Sequence, residues 1–134
     1  MGLIEAKGLA RRIECPGELE HSRLSDAYDQ SDVFVSSSLY EGYGMALAEA
    51  MMRGLPIVMA KGGAAAETVP EAAALKVPPG DVRALRVITE DASLRRRIAD
   101  ASWHAGRALP SWRDTAEACA RAIREAALYA GRER

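Results

Sequence analysis

Apolar and polar positions change their period several times along the chain. Residues 3–10 keep the spacing of the tail of a helix. "RRIEC" (11–15), closed by Pro16-Gly17, predicts a short strand. In "HSRLSDAYDQ", Leu24, Ala27 and Tyr28 fall at helical spacing. After Asp32 the pattern switches: Val33, Phe34 and Val35 of "DVFVSSS" form a continuous apolar run, as in a strand covered on both faces. "YEGYG" reads as a turn. "MALAEAMMR" then reads as a small-residue helix stopped by Gly54 and followed by Pro56. "IVMA" predicts a second buried strand, and "KGGAAAETV" a glycine turn into a short helix. "AALKVPPGD" predicts a third strand ending in a turn. From Val82 to about Tyr129 the spacing predicts two or three helices, with Ser111 and Asp114 as an N-cap pair just past Pro110.

Short apolar strands alternating with helices imply an α/β fold: a parallel sheet with helices on both faces and a helical C-terminal tail. The 134 residues suffice for a single domain. Residues 1–80 carry the strand/helix alternation and 81–134 the helical tail. In such sheets ligands sit outside the carboxyl ends of the strands. Both glycine-bearing turns, Glu41–Gly44 and Lys61–Gly63, follow strand ends, so they are expected to share one crevice.

Charge narrows the partners. Lys and Arg number 18 against 19 Asp and Glu, a net charge of −1, which gives no electrostatic case for nucleic acid. The arginines of "SLRRRIADASWHAGRALPSWRD" alternate with acids and read as solvated helix faces. Cys15 and Cys119 lie outside any CxxC pattern and are expected to be buried free thiols in a reducing cytoplasm. His21 and His104 have no companions at metal-ligand spacing, so no metal site is expected. No signal peptide and no apolar run near eighteen residues is present. Met45, Met51, Met52 and Met59 are expected as core fillers, and Trp103 and Trp112 as packing for the tail helices.

The candidate chemistry lies in "SSSLYEGYGMALAEAMMRG". Gly42 and Gly44 allow close approach of the backbone to a ligand, or positive φ. The helix beginning near Met45 points its amides and its positive dipole end into the crevice, a ready phosphate site. Glu41 and Glu49 would be repelled by phosphate but suit hydroxyls, each charge-assisted bond contributing ~1.5–3 kcal/mol. A nucleoside diphosphate sugar has hydroxyls at both ends and phosphate between. The same features also arise for packing alone: glycines tighten strand–helix turns, and a helical Glu49 is commonly solvated.

Residues "DVFVSSSLYEGYGMALAEAMMRGLPIVMAKGGAAAETVP" resemble the donor-binding segment of the retaining glycosyltransferases with two Rossmann-like domains, glycosyltransferase family four (the glycogen-synthase-like group). The signature is Glu, seven residues, Glu, with Gly-Phe/Tyr-Gly after the first: here Glu41, Gly42, Tyr43, Gly44 and Glu49. The similarity runs on through "ALKVPPGD", "DASLRRRIADAS" and "LPSWRDTAEACARAI", covering roughly 9–125. It implies the C-terminal, donor-binding domain of a GT-B enzyme, in truncated form, with a partial Rossmann-like sheet. It implies that Glu41 serves catalysis by contacting hydroxyls of the transferred sugar, and that Glu49 holds the ribose. Gly42, Tyr43 and Gly44, with Met45, Ala46 and Leu47, would line the sugar and diphosphate. Gly62 and Gly63 form the neighbouring loop beside Lys61, and Glu67 opens the next helix. Tyr43 is a candidate for stacking on the ligand. Ser38 and Leu39 stand where Pro-Ser is common. The family's phosphate-neutralising Arg and Lys precede the matched region; Lys7 lies in the wrong place to replace them.

The resemblance implies a UDP-, GDP- or ADP-sugar donor, no cofactor, and a sugar or lipid-linked acceptor bound by a missing domain. It places the protein in the cytoplasm, with the longer enzyme able to contact the inner membrane. Absent strands between "RRIEC" and "DVFVSSS" leave three outcomes: a rearranged sheet, completion by another chain, or open apolar edges that invite association. An oligomer or a chain cut from a larger protein is therefore expected. Two functions follow. One is the nucleotide-sugar half of a retaining hexosyltransferase, inactive alone. The other is a non-catalytic truncated relative acting as an oligomerising or scaffold module. A nucleotide-binding regulator is the third, although neither G-x-G-x-x-G nor G-x-x-x-x-G-K-[ST] occurs.

Overall fold

The computed structural model describes residues 2–130. The chain divides into two compact units, one ending at Ser31 and the other beginning at Asp32. The first holds α1 (Gly2–Ala6) and α2 (His21–Asp29). Between them "RRIEC" forms no strand. The amides of Arg12 and Ile13 both turn back onto the Leu9 carbonyl, at 2.8 and 3.0 Å. A strand exists only through a neighbour that takes its amides, and every strand among the described residues lies beyond Asp32. Cys15 in this segment is exposed, as is Cys119, so neither thiol is buried as expected.

The second unit is built on three parallel strands in the order β1 (Phe34–Ser36), β2 (Ile57–Ala60), β3 (Ala74–Val77). Register pairs Phe34 with Ile57 and Ala74, and Ser36 with Met59 and Lys76. The central strand β2 is buried at all four positions. β1 is not covered on both faces: it forms the sheet edge, and Val35 is 50 % exposed. An apolar run describes what a strand would bury; its neighbours decide what it does bury.

Helices flank this sheet. α3 (Met45–Met52) packs on β1 and β2. It ends because Gly54 takes φ 69°, with Gly54 N–H on Met51 O at 2.9 Å and Leu55 N–H on Ala50 O at 3.0 Å. A one-turn helix α4 (Ala65–Thr68) and a 3₁₀ turn (Glu71–Ala73) lead into β3. α5 (Arg83–Glu90) and α6 (Ala92–Ala108) close one side, where Val58, Ala84, Ile88 and Ile98 form a core cluster. α6 also crosses α3, with Gly106 so close to the Met51 carbonyl that a Cβ there would collide with it. α7 (Trp112–Ala130) follows. Its start is capped reciprocally: Ser111 N–H donates to Asp114 Oδ2 at 2.7 Å, and Asp114 N–H to Ser111 Oγ at 3.2 Å.

Of the four methionines expected in the core, Met51 and Met59 are buried, whereas Met45 and Met52 are half-exposed on the open face of α3. Trp103 packs against Gly54, but Trp112 is 79 % exposed and packs nothing as expected of it. No helix among the described residues is long and apolar enough to cross a membrane.

Candidate active site

The site begins where β1 and β2 end. Past β1 the chain turns through Leu39–Gly44 and enters α3; past β2 it turns through Lys61–Ala64 and enters α4. These two turns touch backbone to backbone. A Cβ on Gly62 would collide with the Leu39 carbonyl oxygen, and one on Gly63 with the Glu41 carbonyl oxygen and amide. Gly63 also takes φ 64°, a region that L side chains rarely occupy. Ala65 N–H donates to the Glu41 carbonyl at 3.3 Å. Glycine is required at 62 and 63 because the two loops have no room between them.

Gly44 is the N-terminal residue of α3, in the left-handed region at φ 79°. A Cβ there would press on Leu47 Cδ1 at 2.9 Å and Ala65 Cβ at 3.1 Å, and would lie 3.5 Å from Glu41 Cγ. Gly44 has no side chain with which to cap the helix. The first turn of α3, Met45–Leu47, lies at the strand ends and carries the positive end of the helix dipole. Leu47 is buried and anchors that turn, whereas Met45 and Ala46 are exposed.

Gly42 differs from the other three glycines. Nothing in the protein lies within 4 Å of a Cβ placed there, and its φ, like that of Gly62, is not positive. The fold does not require glycine at 42. Tyr43 beside it is half-exposed, and Tyr40 stands out from the surface.

The two carboxylates sit at different depths along α3. Glu41 precedes it, partly buried, its stem near Gly44. Glu49 lies on the second turn, about 6 Å along the axis from Met45 at 1.5 Å per residue. It is partly buried, on the same face as Met45 and Met52. Among the described residues neither carboxylate has a hydrogen-bond or ion-pair partner in the protein. Lys61 has an exposed side chain, while its amide is held by the Val77 carbonyl at 2.8 Å. Glu67, in α4, is exposed.

Two features escaped the sequence reading. One is Lys76 on β3, nearly enclosed, with Nζ 2.6 Å from the Ala66 carbonyl and 2.8 Å from Glu71 Oε1. The Lys76 hydrogen bond and charge, with a smaller pull from Lys61, hold the Glu71 carboxyl below its ordinary value. The signal was present: a lysine in the otherwise apolar "ALKV". The other is the Asp81–Arg83 pair within the Pro-Pro-Gly-Asp turn, a turn that the sequence itself predicts. There Asp81 accepts from Arg83 N–H at 2.9 Å and from its guanidinium at 2.6 Å, which lowers the Asp81 carboxyl to about 2. A shallow pocket of about 140 Å³ lies at the strand ends beside this turn, lined by Val35, Val58, Val77, Asp81 and Leu85.

Comparison with known proteins covers the same region. Residues 2–92 match the family model described as glycosyl transferases group 1. The chain is 37 % identical over 94 residues to sulfoquinovosyl transferase SQD2 of Arabidopsis thaliana, spanning 64 % of this chain and 18 % of that protein. Its fold is similar to that of sucrose-phosphate synthase from Thermosynechococcus elongatus, with a TM-score of 0.82 and 30 % identity over 97 % of this chain and 33 % of that one. It is also similar to Anabaena HepE in complex with UDP, with a TM-score of 0.70 and 24 % identity over 78 % of this chain and 30 % of that one. The chain thus spans a third or less of each of these proteins.

Proposed function

The chain belongs to the group 1 glycosyl transferases, and from that premise we propose that it is the half of a retaining enzyme that binds a nucleotide-diphosphate sugar. The acceptor is bound by protein outside these residues. The single observation that supports this most is the seat of the Gly62–Gly63 loop on the Leu39–Glu41 backbone, beside the start of α3. That seat brings the two turns together at the strand ends, with Glu41 just before α3 and Glu49 on its second turn. A fold neighbour holding UDP is consistent with a uridine donor.

In this reading the diphosphate lies over the first turn of α3, where amides and the helix dipole stabilise negative charge. Glu49 accepts hydrogen bonds from the ribose hydroxyls. Glu41 accepts from hydroxyls of the transferred hexose and orients its anomeric carbon. The bond from that carbon to the diphosphate oxygen breaks, and the electron pair leaves with the diphosphate. The acceptor oxygen adds from the same side, and its proton passes to the departing diphosphate. The protein then acts by positioning and by stabilising charge on the leaving group. Gly42 has space that the fold does not use, and the donor fills it.

The test is thermal melting with UDP, GDP and ADP and their hexose conjugates. A ligand at 100 times its dissociation constant should add about 2.7 kcal/mol. The stabilisation is expected for one nucleotide, to be lost in Glu49→Ala and reduced in Gly42→Val, both of which should melt normally without ligand. A folded chain that none of these ligands stabilises would favour a second reading, a non-catalytic module that associates through its open surfaces. The exposed Val35 on the edge strand is the observation behind that alternative.

A further inference from the structure

β3 carries a charge where its neighbouring positions are apolar. Lys76 shares its sheet face with Ser36 and Met59, and its side chain is only 5 % exposed. A buried ammonium is tolerated only when its donors find acceptors. Here they are the Ala66 carbonyl at 2.6 Å and the exposed Glu71 carboxylate at 2.8 Å. Ala66 needs this donor for a reason written in the sequence. In a helix its carbonyl would take the amide four residues on, but that residue is Pro70, which has none. α4 closes with Val69 N–H on the Ala65 carbonyl at 3.2 Å, and Val69 is already extended. The sheet supplies the missing donor from Lys76.

The other end of α4 meets the candidate site. Ala65 N–H holds the Glu41 carbonyl, and Gly63 is seated on the Glu41 backbone. α4 is therefore a strut with Lys76 at one end and the Glu41 turn at the other. We propose that Lys76 is a positioning residue, which locks α4 so that the Glu41 turn and the Gly62–Gly63 loop keep the shape that receives the diphosphate. It acts through the Ala66 carbonyl and not on the ligand. This inference rests on the nucleotide-sugar reading above for its consequence, though not for its geometry.

Two readouts on the same protein separate the two claims. Amide hydrogen exchange needs no ligand. In Lys76→Met, exchange at Ala65 and Val69 should quicken about tenfold or more while Val58 and Met59 of β2 stay at the native rate. Lys76→Arg, which keeps a charged donor, should restore slow exchange. In UDP titrations, Lys76→Met should weaken binding about tenfold and Lys76→Arg less than about threefold. Native exchange at Ala65 in Lys76→Met overturns the lock. Faster exchange with unchanged UDP affinity overturns the positioning role and leaves a brace for α4. If the unaltered protein binds no UDP, the titrations are run with GDP and ADP; if it binds none of the three, the nucleotide reading fails while the exchange comparison still decides the lock. Should Lys76→Met not fold, Glu71→Ala, which alters an exposed partner, takes its place: several-fold faster exchange at Ala65 supports the lock, and a native rate overturns it.

Discussion

α6 and α7 are the two longest helices, both rich in alanine and arginine and both capped at their start, yet they relate to the fold in opposite ways. α6 buries Ile98, Ser102 and Gly106, every fourth residue, against the core cluster and α3. α7 buries none of its described side chains, and Trp112, Ile123 and Leu128 stand in the open. The difference comes from what each helix presents. Ser102 and Gly106 are small enough for α6 to lie on the backbone of α3. That contact fixes the far end of the helix whose first turn forms the candidate site. α7 is amphipathic, but no element among the described residues offers its apolar side a matching surface.

Substitutions can break this comparison. Gly106→Val places a branched side chain against the Met51 carbonyl and should cost ~3 kcal/mol or more in urea unfolding. Ala120→Val on α7 should change stability by less than about 0.5 kcal/mol. Equal losses at both positions would show that α7 is packed as α6 is.

The caps sharpen the contrast. Asp91 Oδ1 accepts Leu94 N–H at 2.8 Å at the start of α6. Asp91→Ala should lower global stability by about 1 kcal/mol. Ser111→Ala should leave the unfolding midpoint in place and appear as lost helical circular dichroism, because α7 can fray without opening the core.

Acid titration sets a carboxylate beside the core against one at the start of α7. Asp81 lies at the start of α5, and its hydrogen bonds from Arg83 lower it from 3.8 to about 2. A depressed carboxyl stabilises the fold above its unfolded value, and that contribution is lost as pH falls from about 4 to about 2. The melting temperature should decline over that window, less so in Asp81→Asn. Asp114 is lowered by the Ser111 hydroxyl and amide in the same sense. Its titration should be seen in helix content alone.

A small effect, neutral or of the opposite sign, is expected at Ser102. Its hydroxyl is buried with no partner among the described residues. Ser102→Ala removes an unsatisfied polar group and should be neutral or slightly stabilising, within about 1 kcal/mol.

Much of this was legible along the chain. Gly54 with Pro56 marked the end of α3, and Ser111 with Asp114 marked the start of α7, because both signals act within a few residues. The convergence of the two glycine turns was also legible, since parallel strands bring their carboxyl ends to one edge. What failed depended on distant partners. "RRIEC" has strand composition but no strand to pair with. Val35 and Met45 are apolar, but nothing among the described residues fully covers them. Cys15 and Cys119 showed the same limit, since residue type predicts burial only on average. Lys76 is the reverse case: a residue type that belongs at the surface, enclosed because Pro70 leaves a carbonyl without its amide.

The account stands on the two glycine turns forming one nucleotide-binding floor, and amide NMR of the isotopically labelled chain titrated with UDP, GDP and ADP tests that most directly. One nucleotide should shift the amides of Gly42–Leu47 and Gly62–Ala65 together, with a common saturation curve, and leave α7 untouched. Shifts confined to one of the two turns, or no shifts with any of the three nucleotides from a folded chain, would contradict it.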